Sequence, residues 1–204
     1  MSNKFRLDTI GAMNATALYN LLERLASHLR SQARRGDTGL QPVQIDALHY
    51  LSRCNRYSNT PLGVTDFLGL TKGTVSQSLK VLESRGLIEK RADAHDKRVV
   101  HLLVTPAGRE LLDGAIPPVE LEQAMSALAA PLQQQLLGDL STLLLALQRT
   151  NGMKSFAQCK SCRFNRRLED GRFACGLTGE PLSEEEVELI CREHQYPEGA
   201  GSSS

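Results

Sequence analysis

The stretch that most limits what this chain can fold into runs from Val64 to Thr105: VTDFLGLTKGTVSQSLKVLESRGLIEKRADAHDKRVVHLLVT. Val64–Leu70 reads as a short helix. Thr71 and Lys72 open a second helix that runs through Ser84, and Gly86 closes it. In that second helix Val75, Leu79 and Leu82 fall at i, i+4 and i+7, one apolar stripe for a core. Gly73, Thr74, Ser76, Gln77 and Lys80 are left facing outward. Short donors and acceptors with a cation, rather than Glu and Lys alone, are what a DNA major groove demands of a recognition helix. Leu87–Arg91 and Arg98–Val104 follow as β-rich runs joined by the turn-forming Ala92–Lys97. Arg85, Lys90, Arg91, Lys97 and Arg98 outnumber Glu89, Asp93 and Asp96 along this hairpin, which can place cations on phosphates or in a minor groove. Helix, turn, helix and basic hairpin together make a winged helix. An ordinary helical hairpin with a solvated β-turn is the plain alternative.

These residues resemble the MarR family of bacterial transcriptional regulators. The matching features are LTKGTVSQSLKVLESRGLIEKR, the DKR at the wing tip and VTPAGRELL after the wing, within a likeness spanning about residues 10 to 150. The resemblance implies a homodimeric, sequence-specific regulator, a repressor, reading a palindromic double-stranded operator. It also implies an Asp-x-Arg pair in the wing, here Asp96 and Arg98, with Asp93 as a further support. Lys72 and the wing residues Arg91, Lys97 and Arg98 are then expected on the DNA backbone or in the minor groove, and Thr74, Ser76, Gln77 and Lys80 at base edges. Some relatives bind small phenolic ligands between dimer body and winged helix, and some sense oxidants through one thiol. Cys54, alone in its part of the chain, is read as space-filling in the core, with an oxidant sensor as the alternative.

Two leucine-rich helices flank the winged helix. Residues 13–35 carry Leu18, Leu21, Leu22, Leu25 and Leu29 on one side, and Leu132–Arg149 carries Leu136, Leu140, Leu143, Leu144 and Leu147. This is more apolar surface than one small domain hides, so pairing with a second chain is expected. Between them, Pro42 opens a helix continuing from Val43 to Cys54, and Asn55–Gly63 is a polar connection. Thr105-Pro106 starts another helix, to about Ala115, Pro117-Pro118 interrupts it, and Val119–Ala130 resumes. The fold class expected is mainly α with a small β-wing (α+β). His28, His49 and His101 are read as surface or satisfied core residues, and His95 as a wing-tip residue touching phosphate or merely turning the chain.

After residue 150 the character changes. Phe156–His194 reads FAQCKSCRFNRRLEDGRFACGLTGEPLSEEEVELICREH, with Cys159 and Cys162 as a C-x2-C pair, Cys175 after twelve intervening residues and Cys191 after fifteen more. A hairpin turn at Asp170-Gly171 would return Cys175 towards the first pair, and a Ser183–Glu186 capping box would start a helix carrying Cys191 and His194. The chain therefore divides into a regulator domain (1–150), a cysteine-rich metal-binding segment (151–196) and a tail (197–204). The N-terminus lacks an apolar leader and no run is long enough to span a membrane, so a cytoplasmic protein is expected, in which structural disulfides are rare. A metal staple on the four cysteines follows for so small a segment. A [4Fe–4S] cluster is preferred for its four irregularly spaced thiolates and flanking Lys160, Arg163, Arg166 and Arg167, with zinc still open. His194 is a possible substitute ligand in a Cys3His site.

Net charge is only +1, and the seven Lys and Arg against nine Asp and Glu after residue 150 leave the first 150 residues at +3. Attraction to DNA must therefore be local. An iron–sulfur centre would make the regulator a redox sensor; a structural zinc would leave regulation to a small-molecule effector in the dimer body. An electron carrier or enzyme docked through the winged helix is the remaining alternative. No general acid/base pair, P-loop or dinucleotide fingerprint appears, so no enzyme is expected.

Overall fold

The computed structural model describes residues 15–35, 38–94, 96–150 and 152–197. His95 and most of the expected tail lie outside the described residues. Helix α1 (Ala15–Arg35) lies against α2 (Pro42–Arg53), followed by α3 (Pro61–Leu68) and α4 (Lys72–Ser84). Strands β1 (Ile88–Ala92) and β2 (Val100–Val104) pair antiparallel with Ile88 opposite Val104 and Ala92 opposite Val100. Then come α5 (Pro106–Asp113), α6 (Val119–Ser126) and the long α7 (Ala130–Thr150).

One device starts three of these helices. Pro42, Pro61 and Pro106 each stand in the first turn, where the missing N–H costs no hydrogen bond. Thr60 and Thr105 cap α3 and α5 by accepting from the N–H groups of Gly63 and Gly108, both at 3.1 Å. Helix α3 thus begins at Pro61, three residues before the expected Val64, and the loop before it is shorter than expected. It ends at Leu68 rather than Leu70 because Gly69 takes a left-handed φ of 63° and turns the chain into α4.

The core is Leu40, Ile45, Leu48, Tyr50, Leu51, Val64, Val75, Leu79, Leu82, Leu87, Ile88, Leu102, Val104 and Leu112, with Ala47 and Cys54. Helices α2, α3 and α4 thus close on one another and on the root of the wing. The apolar faces of α1 and α7 stay in solvent: Leu21, Leu25, Leu137, Leu140, Leu144 and Leu147 are all exposed. The second-half helix near Val119 stops at Ser126, short of the expected Ala130, and α7 starts at Ala130, after a three-residue break.

The segment after residue 150 folds as a 3-10 turn (Cys159–Ser161), strands β3 (Asn165–Arg167), β4 (Phe173–Cys175) and β5 (Pro181–Leu182), and α8 (Glu184–Val187). The three strands form one antiparallel sheet in chain order. The expected turn at Gly171 is present, with φ 84°. The capping box at Ser183 and Glu186 is also present, with both reciprocal bonds at 3.0–3.1 Å. The helix it starts does not reach Cys191 or His194, however. Ile190 donates its N–H to Arg53 (2.8 Å) and accepts from Asn55 (2.9 Å), and this strand-like pairing with the end of α2 draws the chain out of helical geometry.

Candidate nucleic-acid interface and thiol cluster

Helix α4 is positioned by its cap and its buried stripe. Thr71 accepts from the Thr74 N–H at 3.2 Å, and Val75, Ser78, Leu79 and Leu82 are buried. Ser78, the one polar member of that inner face, turns its hydroxyl to the Thr74 carbonyl at 3.1 Å. Lys72, Thr74, Ser76, Gln77 and Lys80 are consequently all exposed along one side. Lys72, Ser76, Lys80 and Lys90 also line a groove between α3 and α4 of about 420 Å³. Pro61, Leu62, Val75 and Leu79 line the same groove, which has apolar walls, three lysines and no acidic side chain among its lining residues.

In the wing, Asp96 grips Arg98. Its carboxylate accepts from Nε at 2.9 Å, from Nη2 at 2.8 Å and from the Arg98 backbone N–H at 3.0 Å. The Arg98 side chain and then its N–H hold the Asp96 carboxyl below the ordinary carboxylate range. The guanidinium is nevertheless 91% exposed, so it is oriented and still available. Asp93 supports the pair from behind, accepting the Asp96 N–H at 2.8 Å and facing His101 Nε2 at 3.0 Å. His101 Nδ1 in turn lies 2.6 Å from Asn59 Oδ1. A polar chain therefore runs from the loop before α3 to the tip of the wing. Sequence reasoning misses Asn59 and His101 in it, because they are 42 residues apart and neither belongs to a local motif. Arg91 pairs with Glu89 at 2.7 Å and Lys90 with Glu83 at 2.5 Å. Arg85 is committed elsewhere, donating to the carbonyls of Thr38 and Gly39. Lys97 is exposed beside Arg98.

The four late cysteines come together. Cys159, Cys162, Cys175 and Cys191 line one cavity of about 20 Å³, with Asn55 and Tyr57 from the loop before α3 among its walls. All are free thiols. Burial first, and then the neighbouring thiols of Cys191, Cys162 and Cys175, push Cys159 up to about 12. Among the described residues no three His, Cys, Asp or Glu side chains already form a closed ligand set, so the sulfurs face one space without meeting at one point. His194 does not line it. Its Nδ1 lies 2.6 Å from the Ser155 hydroxyl and its Nε2 3.0 Å from that of Ser161, so both ring nitrogens have hydroxyl partners. Cys54 does not line that cavity; it is buried in the main core, and burial raises its thiol to about 12. A thiol so held is almost wholly protonated at neutral pH and is a poor nucleophile, as a space-filling role requires.

The comparisons with known proteins fall on the winged helix. The MarR family model matches residues 38–99, from the start of α2 to the turn of the wing. The transcriptional repressor MprA of Escherichia coli K12 is 31% identical over 124 residues, 57% of this chain and 70% of that protein. The chain belongs to the MarR family. Among solved structures, the MepR–DNA complex of Staphylococcus aureus is similar at a TM-score of 0.51 and 25% identity, over 67% of this chain and all of that one. A mutant form of MepR, at 0.52 and 24% identity over 67% of this chain and all of that one, shares the fold.

In this MarR-family chain the segment after residue 150, outside the residues matched by the family model, is bolted to the helix-turn-helix. Arg192 donates through Nε to Asp66 of α3 (2.8 Å), with Nη2 in ion-pair contact with the same oxygen (2.7 Å), and its backbone N–H donates to the buried Ser58 hydroxyl at 2.8 Å. Phe156 stacks edge-on against Tyr50 of α2 and Phe67 of α3, at ring separations of 5.9 and 5.3 Å. Its backbone takes a φ of 45°, a left-handed conformation costly for a side-chain-bearing residue, and the ring packing offsets that cost. From the other side, Tyr57 packs against the small core of Cys159, Leu182 and Val187 and donates to Glu180 at 2.6 Å. Arg56 bridges Glu180 and Glu186.

Proposed function

We propose that this protein is a sequence-specific DNA-binding repressor that acts as a two-fold dimer. The observation that carries the reading is the exposed row Thr74, Ser76, Gln77 and Lys80 on α4 beside an Arg98 oriented, but not covered, by Asp96. A row of short polar side chains on a helix suits base edges in the major groove, and an exposed, fixed guanidinium suits phosphate or a narrow minor groove. The repressor assignment leans on the name of the E. coli relative, and DNA binding on the solved complex of the S. aureus one. The dimer rests on the uncovered leucine faces of α1 and α7, and two recognition helices about a two-fold axis would read half-sites about one helical turn apart.

Selection of duplexes from a random pool, followed by titrations at several salt concentrations, tests this. Arg98→Ala should weaken binding to selected and unselected duplexes alike and lower the salt slope by about 1. Gln77→Ala should relax preference at one base position, a loss of about 1–3 kcal/mol of discrimination. Undiminished affinity in Arg98→Ala would remove the wing from the interface, and failure to enrich any sequence would remove the specific reading altogether.

A further inference from the structure

We infer that Cys159, Cys162, Cys175 and Cys191 bind a single tetrahedral metal ion, of the zinc class, and that this ion staples together the separate pieces of the C-terminal segment. The four thiols come from three separate pieces of backbone. Cys159 and Cys162 flank one 3-10 turn, closed by the Cys162 N–H on the Cys159 carbonyl at 2.9 Å. Cys175 ends β4, opposite Asn165. Cys191 follows the Ile190 pairing, its N–H held by the Ala157 carbonyl at 3.1 Å. Such turns hold the three pieces around one space while satisfying their own backbone hydrogen bonds.

Size selects the occupant. About 20 Å³ is room for one water-sized body, and one ion with metal–sulfur bonds of about 2.3 Å fits that space once the sulfurs close on it. Four irons with four sulfides would need the four sulfurs to move apart instead. Soft thiolate donors in tetrahedral array select zinc over magnesium or calcium, and binding releases the four thiol protons to solvent. The ligand set is all sulfur because His194 has both nitrogens on serine hydroxyls. The centre would carry excess negative charge, and the Arg166 guanidinium is packed over Gly176 beside Cys175. A Cβ at Gly176 would meet Arg166 Nε at 2.6 Å, so glycine there is what lets the cation lie so near.

The need for a staple is visible too. The segment buries only Cys159, Leu182 and Val187 fully in its own small core, far less than an independent domain requires. Asn55 and Tyr57, which belong to the winged helix, complete the cavity wall. An ion here would tie the three pieces of the segment together against that wall.

The full chain, purified under reducing conditions, should contain about one zinc by elemental analysis. Titration of the metal-free protein with cobalt should give the charge-transfer and d–d bands of a tetrahedral tetrathiolate at one equivalent. Cys175→Ser and Cys191→Ser should lose those bands, whereas Cys54→Ala and His194→Gln keep them. Chelation should lower the thermal midpoint of the wild-type protein. A wild-type chain that takes up no cobalt, or that holds iron with acid-labile sulfide, would overturn the single-ion assignment, and an unchanged midpoint after chelation would overturn the staple. None of these readouts involves DNA, so their failure is distinct from failure of the proposed function.

Discussion

Gly63 packs its Cα against the Ser58 carbonyl. A Cβ at that position would stand 2.0 Å from the oxygen and 2.9 Å from the Tyr50 hydroxyl. Neither group can retreat, since Tyr50 donates to that carbonyl at 3.0 Å and Thr60 donates to it at 2.8 Å. Gly63→Ala should therefore destabilise the fold by about 1–3 kcal/mol in urea unfolding, despite the better helix propensity of alanine. Gly73→Ala, with only the Thr71 hydroxyl near at 3.8 Å, should leave stability equal or raise it. If the two variants behave alike, the close approach at Gly63 is not what constrains that position. At this scale the sequence is legible where chemistry is local. Thr71, Asp96 and Arg98 act on partners two or three residues away and are found by pattern. His101 is not, because its partners Asn59 and Asp93 lie on a loop and across the wing turn, and nothing about a histidine in a strand announces them.

Among elements, periodicity identifies α4, whose buried face follows from spacing, and β-rich runs on either side of turn-forming residues identify the two strands of the wing. The start of α3 is equally open to a sequence reader: Thr60-Pro61 is the same cap-and-proline signal as Thr105-Pro106. The ending of α8 is not. A helix beginning at a sound capping box stops after Val187 because Ile190 finds backbone partners on α2, a long-range contact that no window of the sequence contains. The seat of this segment on α3 can be measured through Arg192 and Asp66. A double-mutant cycle of Arg192→Ala and Asp66→Asn, followed by thermal unfolding, should give a coupling of about 1–2 kcal/mol, given that both side chains are largely shielded from water. Zero coupling would mean that the backbone pairing, the Phe156 ring and the Arg56 and Tyr57 contacts hold the segment without this ion pair.

The whole molecule leaves two leucine faces uncovered, and this bears on its assembly. If α1 and α7 pair with their copies, Leu140→Glu combined with Leu144→Glu should convert a dimer to monomer in sedimentation equilibrium, because each charge would have to be buried without a partner. A dimer that survives both substitutions would place the interface elsewhere. The clamp of Arg192 on Asp66 has a different consequence, one of timing. Its bond closes a loop of 126 residues, and the bond from its N–H to Ser58 one of 134. Contacts of such separation form late, after local helices and hairpins. On a ribosome, which delivers a chain from its N-terminus, the helix-turn-helix emerges while the residues that brace α2 and α3 are still unmade. Until translation passes residue 192, the protein has its reading head but lacks the support beneath it.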